Sequence, residues 1–459
     1  MVKRMKLWEK GYSLDEEVEL FMTGDDPVLD KALAIYDCLG SIAHAKMLHH
    51  IGILSAQELA SLHNELIRIV KKVENEQFAI AVRDEDVHTA IENALVKALG
   101  DVGKKLHTAR SRNDQVLLDI RLYARDKILQ IAMQLLQAVN ACVCCAMQHV
   151  NTPMVGRTHF QKAMPSSVGL WASSFAESFL DDMELLKTAY ELIDQCPLGS
   201  AASYGVSLPI DRKMVSDLLG FRTVQNNVLY ANNSRGKFEA IVVNAFCHVM
   251  QDMAKVCTDV IVFCAPEFGY FTLPDRFCPG SSLMPQKKNP CPFELIRAKA
   301  TSVQAALFQI HGIINALPSG YNRDFQETKR PFMFACDTTY TALRTFTILF
   351  SGLQVNYEAC VRACSPEIFA TDAVLDLVKA GVPFRDAYAQ IATTVLDVMP
   401  RDAVANIVDK QHQGAPGNLQ LSLATERVQE YHQWIVHKQN RWERGVHSLL
   451  QEENSMFPG

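Results

Sequence analysis

The sequence predicts an all-α chain of three helical domains, residues 1–112, 113–364 and 365–459, with a central bundle of about five long helices. Three observations carry that expectation. Apolar residues recur at three- and four-residue steps over segments much longer than an ordinary helix. Proline, glycine and serine clusters fall chiefly between those segments. Period-two alternation is too sparse to build a sheet, which disfavours the α/β architectures.

Ser55-Ala56-Gln57-Glu58 reads as a capping box, and Leu59, Leu62, Leu66, Val70 and Val73 then repeat on one helix face, with Gly52 as the turn before them. From Asn113 to Val150 there are 38 residues with neither Pro nor Gly. Leu117, Ile120, Ala124, Ile128, Ile131, Leu135, Ala138 and Cys142 keep the helical step, and a continuous helix there would run about 57 Å. Four more long segments follow, at Ser166–Asp194, Arg235–Ala265, Phe293–Leu317 and Glu327–Ala363. Pro331 falls in the first turn of the last, where proline is tolerated. Ala240 to Cys247 is apolar nearly all round, so burial on several sides is expected, with neighbouring chains as the cover. The tail reads as shorter helices separated by Gly381-Val382-Pro383 and Gly414-Ala415-Pro416-Gly417.

Composition narrows the function. A balance of 45 Lys+Arg against 51 Asp+Glu gives a formal charge of −6, which disfavours a nucleic-acid or membrane-surface role. No window reads as a membrane span: Val303–Asn322 lacks charges but holds Gln304, Gln309, His311, Asn315 and Pro318. The first ten residues carry basic side chains without an apolar run, so no secretory signal is expected. Thirteen scattered cysteines then read as reduced thiols in a cytoplasmic protein. Cys142 and Cys145 form a C-x-x-C, but no second pair or histidine set completes a metal site.

Three polar loops interrupt the helices. His107-Thr108-Ala109-Arg110-Ser111-Arg112-Asn113-Asp114-Gln115 places two arginines at a helix N-terminus, a receptor for carboxylate or phosphate, or simply a capped start with solvated arginines. Gly156-Arg157-Thr158-His159-Phe160-Gln161 offers a general acid or base ahead of another helix. Pro279-Gly280-Ser281-Ser282-Leu283-Met284-Pro285-Gln286-Lys287-Lys288-Asn289-Pro290 looks like a mobile loop able to close over a ligand, with Lys287 placed to activate Ser281 or to hold a developing anion.

That third loop matches the G-S-S-x-x-M-P-x-K-x-N-P signature of the fumarate lyase (aspartase, fumarase and argininosuccinate lyase) superfamily at every specified position. Ser111-Arg112-Asn113-Asp114-Gln115-Val116, Thr158-His159, Leu317–Gln326 and Gly381–Tyr388 resemble its argininosuccinate lyase branch in particular. The resemblance runs from about Leu39 to about Tyr388.

It implies cleavage of a C–N bond β to a carboxylate with release of fumarate, without cofactor or metal. Ser281 would take the Cβ proton, and Lys287 and Asn289 would stabilise the aci-carboxylate intermediate. His159, paired with Glu294, would protonate the leaving guanidine. Arg112, Asn113 and Thr158 would hold the succinyl carboxylates, with Ser111 a further substrate-binding residue. Tyr321, Gln326, Lys329 and Asp30 would line the amino-acid end, and Arg235 would also bind substrate. His88 matches another active-site histidine, or else ties two helices together by hydrogen bonds. Three subunits contribute to each site in this family, so the resemblance implies a homotetramer whose long helices share a core. Departures lie at the N-terminal end, where Glu9-Lys10-Gly11-Tyr12 and Thr23-Gly24-Asp25-Asp26-Pro27 replace the usual stretches, and beside Arg235, where Ser234 and Gly236 replace acids. Asp26 stands where a serine is expected: either an acidic turn capping the next helix, or a carboxylate at the amino-acid end of the substrate. Alternatives to argininosuccinate cleavage are a sister activity on an N-acylated argininosuccinate, adenylosuccinate, aspartate or malate, or a crystallin-like structural role.

Overall fold

The structure is a computed structural model that describes residues 14–394 and 398–451. Glu9 to Tyr12 lie outside the described residues.

The N-terminal layer holds α1 (Glu16–Thr23), α2 (Asp26–Leu29), α3 (Ala34–His50), α4 (Ala56–Glu74), α5 (Val87–Leu99) and α6 (Asp101–Lys105). Ser55 and Glu58 form the expected capping box on α4, and Leu59, Leu62, Leu66 and Val70 are buried. The bundle follows: α7 (Arg112–Gln148), α8 (Val168–Ile193), α11 (Lys237–Phe263), α12 (Cys291–Ile314) and α13 (Lys329–Ser351), with the short α9 (Arg212–Leu218) and α10 (Val228–Asn233) in a connection. One apolar core joins these five long helices, so the all-α fold with a five-helix bundle is as the periodicity predicts.

Several details differ. The last bundle segment breaks at Gly352, and the chain turns into a two-residue strand, Gln354–Val355, before α14 (Tyr357–Arg362). A Cβ at Gly352 would lie 2.4 Å from the Phe277 ring, so the chain approaches that ring only with glycine there. Strand pairing is also present. β1 (Pro153–Thr158) and β2 (Gln161–Ser167) form an antiparallel hairpin that the sequence presents as a loop.

Ala240–Cys247 finds its cover inside the chain: of these eight residues, Asn244 is the one exposed position and Ile241 is partly covered. The expected neighbour is therefore not needed by that helix. It is α12 whose outer face stays bare, with Leu295 61% and Phe308 80% exposed beside the small residues Ala298, Ala305 and Gly312. One helix is also apolar enough to resemble a membrane span, contrary to the expectation from sequence. Ile128 to Gly156 contains no Asp, Glu, Lys or Arg. Within α7 an 18-residue window reaches mean hydropathy 1.6, long and apolar enough to span a bilayer by composition. More than half of that window is buried inside this chain, as in the core helix of a bundle.

The tail holds α15 (Ala370–Lys379), α16 (Phe384–Thr393), α17 (Ala403–Val408) and then α18 (Leu421–Leu450), a 30-residue helix where short ones were expected. It runs back along α8 and α7. Tyr431 donates to Glu184 at 3.0 Å, Lys438 pairs with Glu191 at 2.7 Å, and Trp434 meets Tyr190 edge-on. Its far end enters the N-terminal core, where Leu449 is buried and His63 Nε2 donates to the Leu449 carbonyl at 2.7 Å.

Candidate active site

The N-terminus of α7 organises the site. Ser111 is its N-cap, with its hydroxyl accepting from the Asn113 N–H, and Asp114 returns a carboxylate oxygen to the Ser111 N–H at 2.9 Å. The other Asp114 oxygen accepts from Gly199 at 3.1 Å and Ala201 at 2.8 Å, pinning a loop in which Ala201 has φ +50°. Burial pushes the Asp114 carboxyl up, and the backbone donors oppose that shift. Capping and loop anchoring are thus one device.

The two arginines of this loop part company. Arg110 turns inward, donating to Ser41 at 2.9 Å. Arg112 faces a cleft, where its guanidinium meets Asp86 at 2.9 Å, Glu85 at 3.2 Å and the Thr89 hydroxyl at 3.0 Å. Also lining that cleft are Thr23, Asp26, Asp30, Asn113, Arg235, Tyr321, Arg323, Gln326 and Lys329. Seven of the expected site residues (Asp30, Arg112, Asn113, Arg235, Tyr321, Gln326 and Lys329) therefore share one wall. Four carboxylates face four cations there, and Arg112 with Glu85 and Asp86, and Lys329 with Asp26 and Asp30, are already paired across it.

Lys329 is buried at the head of α13, 2.5 Å from Asp30 and 2.9 Å from Asp26. Burial works against its charge, but the two carboxylates prevail and raise its pKa. Asp25 occupies the N-cap of α2 without capping it through its side chain, pairing instead with Arg330. The capping reading of this acidic turn therefore fails. Arg235 lies 5.8 Å from the Tyr321 ring centre. Its unusual neighbours have local reasons: Ser234 accepts from Gln225 and donates to the Ala231 carbonyl, and a Cβ at Gly236 would strike Ile314 at 2.3 Å.

His88 lies one layer deeper. Its Nδ1 bonds Asp37 and stands 3.7 Å from Asp119, all three buried. Burial opposes its charge, yet Asp37, then Asp86 and Asp119, outweigh it and push the pKa up to about 9. Burial raises the Asp119 carboxyl, and Asp37 repels its charge in the same direction. Asp37, His88 and Asp119 have the spacing of a metal-ligand set, and the bond between His88 and Asp37 joins α5 to α3. This is the helix-tying reading of His88. Asp37, Asp114 and Asp119 are site residues that the sequence reading misses. Ser111-x-x-Asp114 is a capping-box pattern, and the other two are lone acids in apolar helical runs, so each left a signal.

The remaining expected residues sit elsewhere on the chain. Thr158 ends β1, and His159 with Phe160 forms the two-residue hairpin turn, at φ +53° and +61°. Two left-handed residues match the twist of a tight hairpin, here without the usual Asn-Gly. Thr158, His159, Lys287 and Glu294 are exposed, and Ser281 and Asn289 are partly so. No ion pair joins His159 to Glu294 within the chain, among the described residues. The Ser281 hydroxyl accepts from the Leu283 and Met284 N–H groups at 3.3 and 3.1 Å. Such donors favour the oxyanion form of a serine.

A lyase family profile matches residues 19–305. Argininosuccinate lyase of Sorangium cellulosum is 42% identical over 427 residues, 93% of this chain and 99% of that protein. Its counterpart from Thermotoga neapolitana is also 42% identical, over 84% of this chain and 97% of its own. Among solved structures, an EDDS lyase in complex with formate superposes with TM-score 0.82 at 22% identity, covering 96% of this chain and 95% of that one. A class II fumarase from Schistosoma mansoni gives TM-score 0.70 at 15% identity over 86% of this chain and 95% of its own, a likeness of fold. With a family profile spanning well over half its length and full-length relatives at this identity, the chain belongs to the fumarate lyase family, on its argininosuccinate lyase branch.

Proposed function

We propose that the chain cleaves L-argininosuccinate to L-arginine and fumarate by base-catalysed β-elimination, the carbon–nitrogen lyase step of arginine biosynthesis. The observation that carries this reading is the near-complete coverage, at 42% identity, of relatives named for that activity. The site chemistry supports it. Removing a proton beside a carboxylate builds a dianion, which needs a base and a fixed cationic surround. Ser281, its oxyanion supported by two backbone donors and by Lys287, takes the Cβ proton. Lys287 and Asn289 hold the aci-carboxylate. As the C–N bond breaks, the departing guanidine takes a proton from His159, which Glu294 orients. Arg112, Asn113 and Thr158 hold the succinyl carboxylates, and Lys329 with Tyr321 and Gln326 holds the amino-acid end.

The assembly is a homotetramer with sites shared between subunits. Its support is the division of the residues between one cleft and two exposed loops, together with the bare outer face of α12. The thirteen free thiols support a cytoplasmic setting. Ultraviolet absorbance of released fumarate tests the activity over argininosuccinate, adenylosuccinate and aspartate. Turnover of argininosuccinate is expected to exceed the others by at least about 10²-fold, the order a site with placed hydrogen bonds enforces. Faster release from adenylosuccinate or aspartate refutes the reading.

A further inference from the structure

Asp26 is among the charged groups of the cleft wall that the chemistry above leaves without a task. The turn carrying it is firmly held: Arg323 donates to the Met22 carbonyl at 2.8 Å, and Gln326 donates to the carbonyls of Met22 at 3.0 Å and Thr23 at 3.4 Å. The two carboxylates on Lys329 differ in what they have left to offer. Asp30 is fully buried, with one oxygen on Lys329 and the other accepting the Val87 N–H at 3.3 Å. Asp26 gives Oδ1 to Lys329, and its side chain keeps 15% exposure on the cleft. The triplet of one lysine and two carboxylates carries one negative charge in excess, and Asp26 is where that excess meets the ligand space.

An ammonium and a carboxylate side by side are the complement of an amino-acid head group, which carries both charges on one carbon. In the Lys329–Asp26 pair the ammonium is buried and held by both carboxylates, so the half of the couple that reaches the cleft is the Asp26 carboxylate. An N-acylated head group keeps its carboxylate but replaces the cation with a neutral amide, so Asp26, still paired with Lys329 through Oδ1, gains no second cation in exchange for its lost water. Resting on the activity proposed above, we infer that Asp26 is a specificity-determining residue, selecting substrates with a free α-ammonium and rejecting those acylated at that nitrogen.

The test measures kcat/KM for argininosuccinate and its Nα-acetyl counterpart on the wild type, Asp26→Asn, Asp26→Ser and Asp26→Glu. The wild type is expected to prefer the free amine by about 10- to 100-fold, the worth of one hydrogen bond to a charged group. Asp26→Asn and Asp26→Ser should remove most of that preference, chiefly through KM for the free amine. Asp26→Glu, which keeps the charge, should retain part of it. Because both substrates are measured on one preparation, the ratio does not depend on how much of a variant is folded. A wild type indifferent to acetylation, or an undiminished ratio in both Asp26→Asn and Asp26→Ser, overturns the inference while leaving the lyase activity standing. Turnover of neither substrate by the wild type overturns the activity reading, and this inference with it.

Discussion

Asp114 offers a sharp test of how the site is held, because its two oxygens serve three backbone donors on two segments. Asp114→Asn keeps the volume and one oxygen. That oxygen can face Ser111, or Gly199 and Ala201, but not both sides, and the new amide N–H₂ points at whichever donors it abandons. A hydrogen bond to a charged acceptor is worth about 1.5–3 kcal/mol, and a buried donor left unpaired costs about 1–3 kcal/mol. Against this, the neutral amide escapes the burial that raises the Asp114 pKa. The net loss expected for the loop at 199–205 is about 2–4 kcal/mol of local stability. At about 1.4 kcal/mol per tenfold, the amides of Gly199 and Ala201 should exchange with solvent deuterium roughly 30- to 700-fold faster, measured by mass spectrometry of peptides covering the loop. Peptides from α11 serve as the unperturbed reference. Exchange within threefold of wild type would refute the anchoring role, since a loop that holds without Asp114 is held by something else.

Ser281→Ala should lower kcat by at least ~10²-fold while argininosuccinate still binds, as measured by calorimetry, and a variant keeping more than about a tenth of the rate would exclude Ser281 as the base. Mixing inactive Ser281→Ala with inactive His159→Asn should restore activity, because some mixed sites receive both intact residues; no recovery after proven subunit exchange would mean that each site comes from one chain. The His88 pKa, about 9 in the folded chain, lies above its unfolded value of 6.5, so its stabilising contribution is complete below about pH 6.5 and disappears as pH rises through 9. Chemical denaturation at fixed protein concentration should show a loss on the order of 3 kcal/mol across that window, largely absent in His88→Asn; equal slopes in the two proteins would exclude the imidazolium.

The bundle was legible because long helices repeat one rule many times: α7, α8, α11 and α12 lie within a few residues of the segments that their apolar steps and breakers mark. Where a single contact decides, the periodicity is silent. Gly352 breaks the last segment because Phe277 occupies the space of its Cβ, a neighbour 75 positions away. The β1–β2 hairpin turns on His159 and Phe160, residues that carry no turn signature, with Pro165 inside its second strand. Candidate site residues are marked by their strings, yet strings do not report direction: Arg110 and Arg112 are two positions apart and point to different neighbours. Asp26 shows the same limit, since Asp before Pro reads as a helix start whether its carboxylate caps the backbone or pairs with Lys329 across the cleft.

The return of α18 sets an order on how the protein is made. The apolar core of the first hundred residues is closed by Leu449, with Trp442, Val446 and Leu450 packed against it. A growing chain therefore finishes α3, α4 and α5 long before their last wall exists, and at about 5–20 residues per second the interval is tens of seconds. Through that time the surface later covered by α18 is open to other chains in the same state. Nascent-chain protection is accordingly a requirement on α3, α4 and α5, imposed by a helix that follows them hundreds of residues later.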